Sequence, residues 1–572
     1  MQRMLKFRIP ALFCAFAVLA CDLISRPFTT MGVCDDGPYI LMANTTANTG
    51  HIVYNGWATA MLGWQLYLGA AFIKLFGFSF TTVRMSTLFI SMLTAFLLQR
   101  TLAHANISER NATIGTLALV LSPLYLMLTA TFMSDIWGLF AAVICLYGCL
   151  HALQASTART TIAWLCFAVA TNAVFGTARQ IAWLGLLVMV PSTLWLLRAN
   201  RRVFLTGAAV NLAGALFVFA CLQWLKHQPY DCPEHLIPKS LPIAHTLAEF
   251  VHTFLDMPFF LLPVFAIFIP VIRKSRPRVI AILAAIAIAY ALIAAVRSHV
   301  HPNALLEPID GAFVSPEGIY FLYVQGWPPT FLHTPVRIIF TIASIGGLLG
   351  LIAAFTQRRT FSSSLNSPST SLSWTQLGIL LIPFSVANIL LLVPRATNWL
   401  TDRYLLILLT VVLMVLVRYY QGQVRHRLPL TSVILVAIMA VYAVAVTYNL
   451  FSLDRARVAL AAEMRSAGVP DTSFDDGWEY NFGTELAHAP SLNYPTIFVP
   501  ANFYVPTPAP PPGVCTPYYA DEIPHVHPLY GISFDPNACY GPAPFAPIHY
   551  SRWLASQPGT LYVVNYLPPV KP

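Results

Sequence analysis

The stretch ATAMLGWQLYLGAAFIKLFG, residues Ala58 to Gly77, decides the fold of this chain, because whether it crosses a membrane sets the side on which every later segment lies. It is apolar and contains 20 residues, about the length that a helix needs to cross roughly 30 Å of hydrocarbon. Just before it, CDDGPYILMANTTANTGHIVYNGW (Cys34 to Trp57) places two adjacent carboxylates, Asp35 and Asp36, after the first long apolar segment. Adjacent charges in so apolar a chain require an explanation.

The composition indicates the class of protein. Of 572 residues, 57% are hydrophobic and only 10% are charged, and the mean hydropathy of +0.65 lies far outside the range of soluble domains. The sequence therefore predicts an all-α polytopic membrane protein. About thirteen apolar runs are long enough to span a bilayer, and they begin near Ile9, Val83, Ala112, Ile136, Ile162, Ile181, Phe204, Pro258, Val279, Val336, Leu377, Tyr404 and Leu430.

The basic residues predict the orientation of these runs. If Ala58 to Gly77 lies along the membrane surface, the short loops on the side of the N-terminus carry most of the Lys and Arg residues, as the positive-inside rule requires. If it crossed, the basic runs RANRR (Arg198 to Arg202) and RKSRPR (Arg273 to Arg278) would lie outside. We therefore expect a bacterial inner-membrane protein with a cytoplasmic N-terminus and interfacial helices in a first outer loop, about residues 29–82. The net charge of +10 is a topology signal and does not indicate nucleic-acid binding.

The tail, residues 451–572, differs in composition from the transmembrane domain, residues 1–450. It opens with an amphipathic pattern, DRARVALAAEMRSAG, and then becomes rich in proline and aromatic residues. The apolar runs PTIFVPANFYV and GTLYVVNYL have the residue types of β-strands. The sequence predicts a small extracytoplasmic α/β domain here.

Four cysteines, Cys34, Cys232, Cys515 and Cys539, fall in segments predicted to lie outside, where disulfides persist. We expect a bridge between Cys515 and Cys539, with a second between Cys34 and Cys232 as a weaker alternative. Four cysteines allow three pairings.

The acidic residues at the predicted outer helix ends are candidates for chemistry at the membrane surface. Asp35 and Asp36 follow the first helix, and Asp135 begins the fourth in LMLTATFMSDIWGLF. Such positions are unsuited to carrying an ion through the bilayer. Two carboxyl sites that converge on one cavity could instead accept a proton and orient it. The alternative for Asp135 is that it caps its helix together with Ser134.

The order of features in CDDGPYILMANTTANTGHIVYNGW and GWQLYLGAAFIKLFGFSFTTVRMSTLF is Asp-Asp, Tyr, two amphipathic helices, FG, Arg and the next span. This order resembles the GT-C glycosyltransferases, and most closely the protein O-mannosyltransferases and the lipid A aminoarabinose transferases. LSPLYLMLTATFMSDIWGLF is similar to that family's second acidic motif, and GTARQIAWLGLLV and TDRYLLILL are similar more loosely. The resemblance covers roughly the first 200 residues well.

The resemblance implies a GT-C-like fold and a membrane glycosyltransferase. Such an enzyme transfers a hexosyl or pentosyl group from a polyprenyl-phosphate-linked sugar to an extracytoplasmic glycan, lipid or protein. The resemblance also implies that Asp35 or Asp36 is the catalytic carboxylate, acting as a general base. Many members have Asp-Glu at this point, so the Asp-Asp of this chain leaves open which of the two acts.

A departing phosphate requires cations or directed hydrogen-bond donors. The candidates near the predicted outer surface are Arg179, Arg84, Lys74, Arg403 and Arg297. Arg179 is preferred, because TARQ forms a tight turn between two apolar segments, where an unpaired Arg has no evident structural use. Alternatively, Lys74 and Arg84 reach lipid headgroups, and Arg403 pairs only with Asp402.

No metal site is assigned, although a divalent cation remains possible. His299 and His301 lie in RSHVHPNALLEP, with Glu307, Asp310 and Glu317 nearby in sequence. Two histidines in a proline-containing loop are more often solvated than metal-bound, and the resemblance does not require a metal throughout the family.

Two other functional classes compete with the transferase. In a transporter or flippase for a lipid-linked saccharide, Asp35 and Asp36 would bind a headgroup without chemistry, and in a structural membrane protein no single carboxylate would matter. The sequence leaves open the sugar, the acceptor and the oligomeric state.

Overall fold

The computed structural model describes residues 2–232, 238, 240–300, 303–309, 311–319, 324–357, 372–508 and 514–568. The chain is mostly helical, as the composition predicts. The helices of the first half are α1 (Gln2–Ser25), α2 (Asp36–Thr49), α3 (Gly63–Phe76), α4 (Phe80–His104), α5 (Glu109–Val120), α6 (Pro123–Thr129), α7 (Ser134–Gln154), α8 (Ala158–Phe175), α9 (Val190–Leu196) and α10 (Arg201–Leu225). The helices of the second half are α11 (Ile243–Leu255), α12 (Met257–Phe260), α13 (Leu262–Phe265), α14 (Ile269–Ile272), α15 (Pro277–Ser298), α16 (Thr334–Thr356), α17 (Trp374–Ala396), α18 (Leu406–Tyr419), α19 (Leu430–Ser466) and α20 (Trp478–His488).

The protein is a multi-pass membrane protein. Within the described ranges, 10 helices are long and apolar enough to cross a membrane, and two bent pairs raise the number to 12. The pairs, Glu109–Val120 with Pro123–Thr129 and Ile243–Phe260 with Leu262–Ile272, bend by 70° and 73°. The run predicted near Ile181 is the shorter segment Gln180–Leu196, in which 3-10 and π turns precede α9. The predicted number of thirteen spans is therefore not confirmed.

Ala58 to Gly77 does not form a spanning helix. Its helical part, α3, has 14 residues and is about 21 Å long at 1.5 Å per residue, which is too short for roughly 30 Å of hydrocarbon. Beyond the middle of α3, Leu75, Phe76 and Phe78 are exposed, as expected for an element that lies in the membrane interface. The segment between α1 and α4 thus carries two short helices, α2 and α3.

The tail contains a small four-stranded sheet. Its strands are β3 (Phe474–Asp475), β4 (Tyr530–Ser533), β5 (Ile548–Tyr550) and β6 (Gly559–Asn565), in the order β3-β4-β6-β5, and only the β3–β4 pair is parallel. A separate two-stranded hairpin, β1 (Val314–Ser315) and β2 (Gly318–Ile319), lies between α15 and α16.

The structure confirms one of the two predicted strands. GTLYVVN forms β6, whereas PTIFVPANFYV (residues 495–505) forms no strand. Its prolines lack the backbone N–H that a sheet needs. The amphipathic pattern DRARVALAAEMRSAG continues α19, which has 37 residues and runs without a break from the bundle into the tail.

The predicted bridge between Cys515 and Cys539 is present. The alternative pairing of Cys34 with Cys232 is wrong, because both are free thiols. Cys232 Sγ instead donates a hydrogen bond to the carbonyl of Gly56 at 2.9 Å.

Candidate active site

Asp36 is a buried structural ion pair. Its Oδ2 accepts hydrogen bonds from Nε of Arg84 at 2.7 Å and from the backbone N–H of Phe132 at 3.1 Å. Its Oδ1 accepts from Nη2 of Arg84 at 3.0 Å and from the backbone N–H of Val33 at 2.7 Å. Arg84 also donates to the carbonyl of Met31 at 2.8 Å. Because four donors fill both oxygens of Asp36, this carboxylate and Arg84 hold the first loop against α4 and the start of α7.

Asp35, the neighbouring residue, has a different environment. Its Oδ1 accepts a hydrogen bond from Nε1 of Trp57 at 3.3 Å, and its Oδ2 accepts from Nη2 of Arg403 at 3.2 Å. Its side chain is 20% exposed, whereas that of Asp36 is 0% exposed. A carboxylate oxygen can accept about two hydrogen bonds, so Asp35 has acceptor capacity left for a ligand. Of the two aspartates, Asp35 is the one whose carboxylate can accept a further hydrogen bond.

Asp135 orients Arg179. Asp135 lies in the first turn of α7, and its Oδ1 forms an ion pair with Nη1 of Arg179. Arg179 has an extended backbone between two 3-10 turns, Gly176–Ala178 and Gln180–Trp183. Gly138 leaves room for it, because a Cβ there would lie 3.0 Å from Cδ of Arg179. The ion pair, and not a cap formed with Ser134, is the contact that the structure gives Asp135.

Three guanidinium groups surround the ring of Tyr404, which lies in the 3-10 turn Asp402–Leu405 before α18. The Cζ atoms of Arg179, Arg395 and Arg403 are 5.1, 5.3 and 5.4 Å from the ring centre, within the range of cation–π attraction. Asp135, Arg179, Arg403 and Tyr404 line a narrow cavity together with Ile181, Leu406 and Ile407. Helix ends that are far apart in sequence thus bring cations and carboxylates together.

Tyr39 adds a protonated phenol to the cluster. It is buried in α2, and burial raises the pKa of its phenol, with a further contribution from Asp35. Burial also raises the pKa of the Cys34 thiol. Tyr39 is therefore available as a hydrogen-bond donor, and Cys34 is not a thiolate nucleophile.

The remaining predicted cations are not part of this cluster. Lys74 is exposed beside Leu75 and Phe76 at the end of α3, a position that suits headgroup contact. Arg297 is exposed at the end of α15, and Arg84 is ion-paired with Asp36. Among the described contacts, none joins Lys74 or Arg297 to Asp35 or Tyr404.

Arg403 does not pair with Asp402. Asp402 is fully buried, and its Oδ2 accepts a hydrogen bond from the backbone N–H of Val314 at 3.0 Å. The side chain of Arg403 pairs instead with Asp35, and it also packs on the ring of Tyr404. Arg403 therefore connects Asp35 to the three guanidinium groups around Tyr404.

No metal centre emerges from the part of the chain that the structure describes. In those residues, no group of three His, Cys, Asp or Glu side chains could hold a metal ion. His301 and Asp310 lie outside the described residues. Glu307 is fully buried, and burial raises the pKa of its carboxyl well above the usual range.

Sequence reasoning missed Trp57, Tyr39, Tyr404 and Arg395. Trp57 and Tyr39 stand in the stretch that carries Asp35, and Tyr404 stands in TDRYLLILL beside Arg403, so adjacency to a candidate residue was an available signal. Arg395 had none, because it lies in the last turn of the apolar helix α17.

Comparisons with known proteins give structural matches only. No protein-family profile matches this sequence, and no curated protein matches it. ArnT from Cupriavidus metallidurans, solved with undecaprenyl phosphate, matches with a TM-score of 0.42 and 15% identity over 82% of this chain and 83% of that chain. Its apo structure matches with a TM-score of 0.41 and 14% identity over 81% of this chain and 82% of that one. The oligosaccharyltransferase of Archaeoglobus fulgidus, in complex with Zn and sulfate, matches with a TM-score of 0.40 and 15% identity over 90% of this chain and 67% of that chain.

Proposed function

We propose that this protein is a membrane glycosyltransferase that moves a sugar from a polyprenyl-phosphate donor to an acceptor hydroxyl outside the cytoplasm, with Asp35 as general base. The observation that carries the proposal is that Asp35, which retains acceptor capacity, lies 3.2 Å from Arg403, one of three guanidinium groups around Tyr404. Glycosyl transfer from a phosphate needs a base and an anion site side by side. The donor class follows from the sequence resemblance, and the extracytoplasmic side follows from the distribution of basic residues.

Arg179 and Arg403 are the proposed ligands of the donor phosphate. Guanidinium groups bind phosphate oxygens through paired N–H donors. Asp135 keeps Arg179 oriented, whereas the ion pair of Arg403 with Asp35 is longer, at 3.2 Å. A bound phosphate competes with Asp35 for Arg403 and so frees a carboxylate oxygen at the moment when the acceptor needs a base.

The reaction is a single displacement. The acceptor oxygen forms a bond to the anomeric carbon, and the bond from that carbon to the phosphate oxygen breaks, with its electron pair leaving on polyprenyl phosphate. The acceptor proton moves to an Oδ of Asp35, and the configuration at the anomeric carbon inverts. Arg179, Arg403 and the O–H of Tyr39 stabilise the charge that accumulates on the departing phosphate.

The test uses purified protein in liposomes with undecaprenyl phosphate linked to a radiolabelled sugar, either mannose or aminoarabinose. With water as the acceptor, the proposed enzyme hydrolyses the donor to free sugar and undecaprenyl phosphate; Asp35→Asn abolishes this release, and Arg297→Gln, outside the cluster, leaves it unchanged. A flippase moves the intact donor across the bilayer without cleaving it. Movement of intact donor by the wild-type protein without any cleavage would overturn the proposal in favour of transport.

A further inference from the structure

Trp57 joins the proposed general base to the tail. Its indole N–H donates to Oδ1 of Asp35 at 3.3 Å. Its ring centre lies 4.4 Å from that of Trp478, 5.5 Å from that of Tyr494 and 6.1 Å from that of Tyr519. Tyr519 in turn lies 5.0 Å from Trp478. An aromatic cluster from two parts of the chain therefore begins at the carboxylate that takes up the proton.

One side of the aromatic cluster is buried in the tail, and the other side is accessible to solvent. Trp478, at the start of α20, is 1% exposed and packs with Phe482 in the core of the tail. Trp478 is therefore not accessible to a ligand. Tyr519 is 37% exposed, and Trp57 and Tyr494 are half-buried. Solvent therefore reaches Trp57, Tyr494 and Tyr519, and the buried ring of Trp478 packs against Trp57 and Tyr519.

The backbone of Tyr519 has an unusual conformation. Its φ of +59° and ψ of +36° are in the left-handed region, which residues other than Gly, Asn and Asp rarely adopt. The disulfide partner Cys515 precedes it by four residues, and the 3-10 turn Ala520–Glu522 follows it directly. Such strain persists where the surroundings impose it, often at binding sites. Here it holds the ring of Tyr519 against the Trp57 and Trp478 pair.

Tyr494 follows a residue that is hydrogen-bonded to the 3-10 turn after Tyr519. Burial raises the pKa of its phenol, and the nearby Glu522 raises it further while Arg395 lowers it. Arg395 is one of the three guanidinium groups around Tyr404. Asn493, the residue before Tyr494, hydrogen-bonds the 3-10 turn Ala520–Glu522: its N–H donates to the carbonyl of Glu522 at 3.0 Å and its side-chain amide donates to the carbonyl of Asp521 at 2.8 Å.

We propose that Trp57, Tyr494 and Tyr519 form the acceptor subsite, and that the acceptor is a saccharide, either free or attached to a lipid. This inference rests on the proposed function and extends it to the acceptor. The electron-rich face of an aromatic ring attracts the weakly positive C–H groups on the apolar face of a pyranose. The exposed carboxylate of Asp521, in the 3-10 turn directly after Tyr519, can accept hydrogen bonds from sugar hydroxyls. A ring stacked on Trp57 presents a hydroxyl to Asp35, because the two side chains are in direct contact.

The subsite is tested with Tyr494→Ala and Tyr519→Ala. The matched control is Tyr562→Ala, which removes a half-buried tyrosine of β6 outside the cluster. Each variant is produced in cells, its membrane level is measured, and envelope glycans, lipids and proteins are profiled by mass spectrometry. The purified variants are also assayed without acceptor for hydrolysis of undecaprenyl-phosphate-linked mannose or aminoarabinose to the free sugar and undecaprenyl phosphate.

We expect the transferred sugar on a saccharide hydroxyl, and we expect its amount to fall by about three- to tenfold in both cluster variants at normal protein level. Donor hydrolysis stays at the wild-type rate, because water needs no aromatic subsite, and Tyr562→Ala behaves as wild type. Transfer to a peptide side chain, or unchanged glycan in both cluster variants, would overturn the acceptor assignment and leave the transferase intact. Equal profiles in cells with wild-type protein and with Asp35→Asn would instead overturn the proposed function itself.

Discussion

The different environments of Asp35 and Asp36 give the most specific prediction. Asn has nearly the volume of Asp but loses the charge and puts an NH₂ in place of one oxygen. Both oxygens of Asp36 accept hydrogen bonds from N–H groups. In Asp36→Asn the side-chain NH₂ therefore faces another N–H donor whichever way the amide is turned. The variant also leaves Arg84, which is 4% exposed, without its counter-charge. Breaking a buried ion pair of this kind costs about 3–5 kcal/mol, so Asp36→Asn lowers the amount of folded protein.

Asp35→Asn has the opposite profile. Its 3.2 Å contact with Arg403 is partly exposed, and losing such a pair costs about 1 kcal/mol or less. Loss of the general base lowers kcat by about 10²- to 10⁴-fold, equivalent to about 2.7–5.4 kcal/mol in the activation barrier. The variant therefore stays folded and becomes nearly inactive.

Both variants are compared for membrane level, thermal midpoint in detergent and release of undecaprenyl phosphate per folded molecule. A folded Asp35→Asn protein with activity within tenfold of wild type would refute its role as base. A fully stable but inactive Asp36→Asn protein would transfer that role to Asp36.

Three further predictions address other parts of the molecule. Arg179→Gln raises the donor KM by about 10- to 150-fold, because a hydrogen bond to a charged group contributes about 1.5–3 kcal/mol, whereas Arg297→Gln leaves donor KM unchanged in the same titration. Cys515→Ser opens a loop closed by cysteines 24 residues apart and destabilises the tail by about 3.5 kcal/mol on the chain-entropy estimate. Thermal denaturation of the variant, and of the wild type with and without reductant, measures this loss. An unchanged denaturation midpoint contradicts it. Burial raises the pKa of Asp476 to about 7 from 3.8, so the folded protein retains a proton that the unfolded chain releases. The stability that Asp476 contributes is complete below about pH 3.8 and is lost as pH rises through about 7. Thermal denaturation between pH 4 and 8 measures this. The midpoint of the wild-type protein falls as pH rises, and that of Asp476→Asn changes less.

The first loop shows how far sequence reasoning reached at the site. The sequence singled out this loop as a candidate site, because paired aspartates after an apolar helix stand out in a chain with 10% charged residues. Their different roles were not predictable. Adjacent residues at a helix start point in different directions, and only the folded chain brings Arg84 to Asp36 and Arg403 to Asp35.

The tail shows the same division at the level of fold. β6 was predictable from its apolar, β-branched residues, whereas PTIFVPANFYV has similar residues and is no strand, because its prolines interrupt hydrogen bonding. The short stretches of sequence around Gly37 and Phe482 gave no reason to expect contact between them. Yet Phe482 packs so closely on Gly37 that a Cβ there would lie 1.8 Å from its Cζ.

The sequence by itself determined the membrane class and the Cys515–Cys539 bridge, because hydropathy and local spacing are properties of short stretches. Tertiary structure alone decided which carboxylate retains acceptor capacity and which arginines gather at Tyr404. It also decided that Trp57 connects Asp35 to Trp478 and Tyr519. These contacts join residues up to hundreds of positions apart, and their energies depend on burial and distance, which no single stretch of sequence contains.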